Sequence, residues 1–145
     1  MIFDIENQLC VAQAFTGAAT VSANSYEKQT AAQDLSIGRR MALAVMPTVN
    51  AGAGSTHTLE AIQADDAALT SNVQVLNTVT VLAANLVKGK IVEIPIPQGV
   101  MTKKYLGFRN TATGGVTTVT LDVHLVPQDE IPQYKSFPKV VDAAV

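Results

Sequence analysis

Apolar and polar positions along this chain alternate or form short runs, and no window sustains a helical repeat; this is the pattern of strands. Residues 41–49, MALAVMPTV, are a continuous apolar run closed by Pro47 and by the loop residues Asn50, Gly52, Gly54 and Ser55. Such a run predicts a strand buried on both faces. Over residues 56–64 the pattern alternates, with His57, Leu59 and Ala61 on one face and Thr58, Glu60 and Ile62 on the other. A hairpin around the Gly-rich loop is expected to join these two strands. Asp65, Asp66, Ser71 and Asn72 bracket Ala67, Ala68 and Leu69 as a loop or one helical turn, and residues 73–82, VQVLNTVTVL, return to strand composition. After a turn centred on Gly89, the segment IVEIPIP carries Pro95 and Pro97 two residues apart, so both lack a donor on the same side. That predicts an edge strand. Residues 104–112 and 116–126 flank Thr113, Gly114 and Gly115, a second hairpin signal. On the last of these strands Val119, Leu121, Val123 and Leu125 share a face, opposite Thr118, Thr120, Asp122 and His124, which predicts one packed and one wet face.

The two ends of the chain read differently. In residues 1–10 the apolar Ile2, Phe3, Ile5 and Leu9 lie among Asp4, Glu6, Asn7 and Gln8 without alternation, as in an extended arm. Residues 11–24 hold no charge and suggest a weak strand over 18–23. Beyond Pro127, PQDEIPQYKSFPKV reads as an extended tail. With no internal repeat, linker or composition break, one domain spans 1–145. Some seven short strands place it in the all-β class, as a jelly-roll-like antiparallel β-sandwich: an N-terminal arm (1–10), a body (11–127) and a C-terminal tail (128–145).

Composition agrees with strands, since Ala, Thr and Val number 20, 15 and 18 of 145 residues and two of these types are β-branched. Charged residues are only 15% and the net charge is -2, so no basic footprint for nucleic acid stands out. So little charge on a domain of this size suits a structural subunit whose surface is partly covered by a partner. Cys10 alone makes no internal disulfide, and with His57 and His124 it is too little for a structural zinc site. The N-terminus carries acids where a signal peptide carries Lys or Arg, and no apolar run approaches a membrane span of roughly 18 residues. A soluble protein made in a reducing cytoplasm is expected.

Candidate chemistry is thin. Asp65 and Asp66 are adjacent, which on a strand sends them to opposite faces and fits a solvated turn better than an acid–base pair. His57 and His124 alternate with apolar neighbours, and only His124 shares its face with an acid, Asp122; without an asserted nucleophile they read as surface or interface histidines. The glycines of AGAGS (51–55) are followed by neither a Lys-Ser or Lys-Thr pair nor a helix, so a hairpin loop is favoured over a phosphate cradle. A sugar-stacking platform would want Trp or Tyr, and the chain has no Trp and Tyr only at 26, 105 and 134. Arg39 with Arg40, and Lys103 with Lys104, are the paired cations and candidates for an acidic partner.

Taken in order, FDIEN (3–7), AQAFT (12–16), DLSIGRRM (34–41), NLVKGKIVEIPIPQGV (85–100), KYLGFRNT (104–111) and VTLDVHLVPQD with Gln133-Tyr134 resemble the capsid cement, or decoration, protein family of tailed bacteriophages, of the Bordetella short-tailed phage type. The likeness lies in an Asp-Leu-x-x-Gly stretch, a Leu-x-x-Gly and Pro-x-Gly region, a Tyr-Leu-Gly strand and the closing strand, over some 130 residues. The chain departs from the family at Cys10 and Ala12, where more polar residues are expected.

The resemblance implies a structural virion protein on the outer capsid surface, made in the bacterial host cytoplasm. It would bind the shell of phage major capsid protein and bridge adjacent capsomers to stabilise the expanded, DNA-filled head. It implies no enzymatic activity, catalytic residue, metal or cofactor, and no direct nucleic-acid or membrane contact. Self-association as a homodimer, or else a trimer, is implied. Phe3, Tyr134 and Phe137 are the expected anchors of the protein interface, with Arg39, Arg40, Lys103 and Lys104 at its rim. The alternatives are a carbohydrate-binding β-sandwich module of a tail or fibre and a small metal-dependent hydrolase or isomerase, the latter disfavoured by two distant histidines.

Overall fold

The computed structural model describes residues 7–16, 19–51, 56–114 and 118–131. Nine strands make up nearly all of its regular structure: β1 (Gln8–Thr16), β2 (Thr20–Val21), β3 (Tyr26–Glu27), β4 (Met41–Pro47), β5 (Thr56–Ala64), β6 (Gln74–Leu82), β7 (Val92–Pro95), β8 (Tyr105–Thr113) and β9 (Thr118–Pro127). Two short 3₁₀ turns, Ala83–Asn85 and Gln128–Glu130, complete it. One sheet has the order β1-β9-β4-β7; the other has β2-β8-β5-β6, with β3 also paired to β8. The antiparallel pairs nest, β1 with β9, β2 and β3 with β8, β4 with β7, and β5 with β6. That is a ribbon rolled into a two-sheet jelly roll, the architecture expected from sequence.

The core lies between the sheets. Inward residues of β9 (Val119, Leu121, Val123, Leu125) and of β4 (Leu43, Val45) meet Leu59 and Ala61 of β5 and Leu106 and Phe108 of β8. Phe15 on β1 and Phe108 on β8 bind across the gap edge to face, with ring centroids 5.4 Å apart and planes at 88°. Each large apolar side chain removed from water in this layer contributes about 1.5–3 kcal/mol.

Both expected hairpins are absent, for one reason. A strand buried on both faces, as β4 is, needs a neighbour on either side, and it takes β7 and β9 from distant parts of the chain. β5 goes to the opposite sheet between β6 and β8, so β4 and β5 are not paired. β8 and β9 are likewise in opposite sheets and are not paired. Among the described residues the one sequential hairpin is β5 to β6, through the segment 65–73.

That turn is held by Asp66, whose carboxylate accepts the N–H of Thr70 and of Ser71, both at 2.8 Å, and the Thr70 hydroxyl at 2.6 Å. It places Leu69 at φ +60° and buries its side chain against Gly107, where a Cβ would collide with Leu69 Cδ1. A left-handed non-glycine residue costs roughly 1–2 kcal/mol, and burial of a leucine returns about 1.5–3 kcal/mol.

Other expectations need correction. Residues 8–10, assigned to the arm, begin β1, because Leu9 and Cys10 are buried in the core; residues 1–6 lie outside the described part. The weak strand expected over 18–23 shortens to Thr20–Val21 among the described residues. Residues 128–131, assigned to the tail, fold back: the Gln128 N–H donates to the Arg40 carbonyl at 2.8 Å and Ile131 is fully buried on Ala42, Ala44 and Val126. The outer face of β9 is consequently only half wet, and His124 is buried there. The edge strand with Pro95 is found where expected, as β7.

Candidate functional site

The paired cations gather at one end of the sandwich. There β4 begins and β9 finishes, with Met41 opposite Pro127, while β8 begins beside the end of β5, with Tyr105 opposite Ala64. The loop 28–40 carries Arg39 and Arg40 and is stitched to the loop 96–104, which carries Lys103 and Lys104. The Ser36 hydroxyl donates to the Ile96 carbonyl at 3.0 Å, the Gly99 N–H donates to Asp34 at 2.5 Å, and the Lys28 N–H donates to the Lys104 carbonyl at 2.9 Å.

Three of the four cations are committed within the chain. Arg39 donates from Nε to Asp129 at 3.1 Å and from Nη2 to Glu130 at 2.8 Å, and this pairing raises its pKa. Lys103 Nζ sits 2.9 Å from Asp65 with little of its side chain exposed. The same bond holds the Asp65 carboxyl below its ordinary pKa. Lys104 Nζ is 2.8 Å from Glu27 and lies 5.8 Å from the Tyr105 ring centroid. Arg40 is exposed. Together with Gly38, Arg39, Gln128 and Asp129 it lines an open cleft of about 360 Å³. Phe3, Tyr134 and Phe137 lie outside the described residues.

Two polar side chains at this end carry no sequence signature of chemistry, yet they hold it together. Gln63 is buried, and its Nε2 donates to Gln74, to the Val100 carbonyl and to the Thr102 hydroxyl while its Oε1 accepts the N–H groups of Thr102 and Lys103. Lys28 is buried with its ammonium on the carbonyls of Ala31 (2.9 Å) and Gln33 (2.7 Å); desolvation lowers its pKa, against the pull of Asp34. The signal for Gln63 was present, since alternation along β5 puts it on the core face with His57, Leu59 and Ala61.

The histidines expected at a surface are both interior. His57 is fully buried on the core face with Nδ1 3.2 Å from Asn110 Oδ1. His124 stands between Gln8 and Ala44 in register; desolvation lowers its pKa and the nearby Asp122 opposes this. Asp122 itself accepts the N–H of Ala12 at 2.6 Å, fixing a bulge where Ala12 takes φ +44°. Burial pushes the Cys10 thiol up to about 12, leaving it inert. Asp65 and Asp66 occupy the β5–β6 turn, as expected of a solvated turn. The two described tyrosines form no common platform: Tyr26 packs on the inner core, and Tyr105 packs outside with Ile62, Ala64 and Leu69.

No protein-family profile matches the chain, and no curated protein is similar to it. Among solved structures it is similar to a protein described as PirA, at 9% identity and a TM-score of 0.39, over 79% of this chain and 92% of that one. It is also similar to the N-terminal CBM22-1–GH10 modules of Clostridium thermocellum endo-1,4-β-D-xylanase 10B, crystallised with xylohexaose, at 15% identity and a TM-score of 0.37. That match covers 87% of this chain and 27% of the xylanase chain. At such scores neither likeness carries an argument about function.

Proposed function

We propose that this chain is a structural virion protein, a capsid cement protein that binds the outside of a tailed phage's major capsid protein shell and bridges neighbouring capsomers. The observation that carries this is where the resembling segments fall in the fold. DLSIGRRM leads into β4, NLVKGKIVEIPIPQGV runs through the loop into β7, KYLGFRNT opens β8, and VTLDVHLVPQD builds β9 and the turn after it. The likeness therefore tracks the strands and connections of the sandwich.

In keeping with a structural role, the polar groups nearest to a chemical site are used internally: Asp122 on a bulge, Asp66 on a turn, Gln63 on loop amides and His57 on Asn110. Bridging draws on effective concentration, since docking one contact places the next within reach. Phe3, Tyr134 and Phe137 serve as anchors in this proposal. Of the four rim cations Arg40 is the strongest candidate, because Arg39, Lys103 and Lys104 already have acids of their own.

The test is co-sedimentation of the purified chain with expanded heads of its parent phage lacking it. Saturable binding at a fixed ratio to the major capsid protein supports the proposal; no binding to heads, with binding to tails or glycans instead, overturns it. A chain shortened by residues 1–6, which spares β1, tests the arm: head binding is expected to weaken with the fold intact.

A further inference from the structure

Each sheet of a sandwich has two edges, and three of the four here are blunted against pairing. β7 has four residues and ends at Pro95. β1 is interrupted by two register shifts and by the left-handed Ala12. β2 and β3 are two residues each. The fourth edge, β6, is different. It has nine residues, neither Pro nor Gly, and lies in a stretch, 67–87, that carries no charge at all. Its register on β5 is regular from Asn77 to Leu82 after one shift near its start. A long, uncharged, exposed edge is the template that other chains pair with, and proteins normally guard it.

The direction of its outward main-chain groups is also set. The Thr78 N–H donates to Asn77 Oδ1 at 2.8 Å, an acceptor on its own strand, so this amide points away from β5. By the two-residue repeat of a strand, Thr80 and Leu82 present their N–H and C=O on the same side. Thr78, Thr80 and Leu82 are all exposed, Leu82 by 59%, while Val79 and Val81 pack on the core.

We propose that β6 is the seam of a homodimer, pairing antiparallel with β6 of a second copy about a two-fold axis through Thr80. In that register Thr80 faces its own copy, Thr78 faces Leu82 and Val79 faces Val81. The pairs at 78, 80 and 82 are those whose main-chain groups point outward, as hydrogen-bonded antiparallel pairs require. The strand suits itself: it brings no like charges together, and Leu82 comes to lie against a threonine methyl. Glu60, directly across from Thr78 on β5, is neutralised by Arg109 at 2.6 Å. The pairing gives the capsomer-bridging reading its two-fold unit, yet it is a property of the free chain and is tested without heads.

The experiment is sedimentation velocity on the full chain, on T80K and on T58K, with thermal unfolding as the check on folding. The wild type is expected to sediment as a dimer, T80K as a monomer that still folds, and T58K, a charge on the same face one strand inward, as a dimer. Mild oxidation of T80C is expected to cross-link chains across the axis, whereas Q74C, at the far end of the strand, does not; the buried Cys10 stays silent in both. A monomeric wild type, a dimer that survives T80K, or cross-linking no better in T80C than in Q74C overturns the proposal. If monomeric chain binds heads saturably, the seam fails while the cement reading stands.

Discussion

At one end of the sandwich, where β4 begins and β9 finishes, loops are tied to one another by Gln63, Lys28, Asp34 and Ser36, and three of the four surface cations, Arg39, Lys103 and Lys104, are paired with nearby acids. At the other end, around residues 48–51 and 83–91, the loops are joined by the Ala51 N–H donating to the Leu86 carbonyl at 3.0 Å and the Lys88 N–H donating to Asn50 Oδ1 at 2.7 Å, and Val49 and Val87 are exposed. Paired charges in a sequence are therefore a poor guide to a binding surface. Arg39 and Lys103 look like offers to a partner, but their charge is spent on Asp129, Glu130 and Asp65.

Substitutions should separate the two ends. L69A, which empties the pocket over Gly107 at the tied end, is expected to cost the most, about 2–4 kcal/mol in urea unfolding. Q63A follows at roughly 1–3 kcal/mol, because it strips the amides of Thr102 and Lys103 of their acceptor. His124 gives a smaller, pH-dependent effect. Above pH 6.5 the imidazole is neutral in both folded and unfolded chains; below it the unfolded chain takes up a proton that the folded site resists, so stability falls as pH falls and levels off below the folded pKa. H124Q should flatten that slope in unfolding measured across acidic pH. At the open end V49S with V87S is expected to stay within about 0.5 kcal/mol of wild type, and an unfolding midpoint moved as far as by Q63A would erase the contrast.

Much of the architecture is legible in residue order. Alternation on β9 and the apolar run of β4 identify the core strands, and Pro95, with Pro97 just beyond β7, identifies an edge. Pairing is not legible in the same way, because glycines at 52, 54, 114 and 115 mark a change of direction without saying whether the chain turns within a sheet or crosses to the other. His124 is buried between β1 and β4, and Ile131 folds onto Ala42, Ala44 and Val126 beside it in the sheet, a contact no local pattern announces. Gln63 was readable as a polar residue at a core position, and β6 as a strand; that β6 is an open edge follows only from the sheet order.

The nested pairing has a kinetic consequence. Among the described strands only β5 and β6 are both adjacent in the chain and paired, so nearly every other strand must wait for a partner far along the polypeptide. β9, central in its sheet, leaves the ribosome after every other strand of the sandwich. Such high contact order predicts slow folding, on the millisecond to second scale, with the β5–β6 hairpin formed early and the sheet of β1, β4 and β7 open until β9 inserts between β1 and β4. Until then the apolar faces of β1 and β4 are exposed to aggregation, a hazard that grows with the rate at which the chain is made.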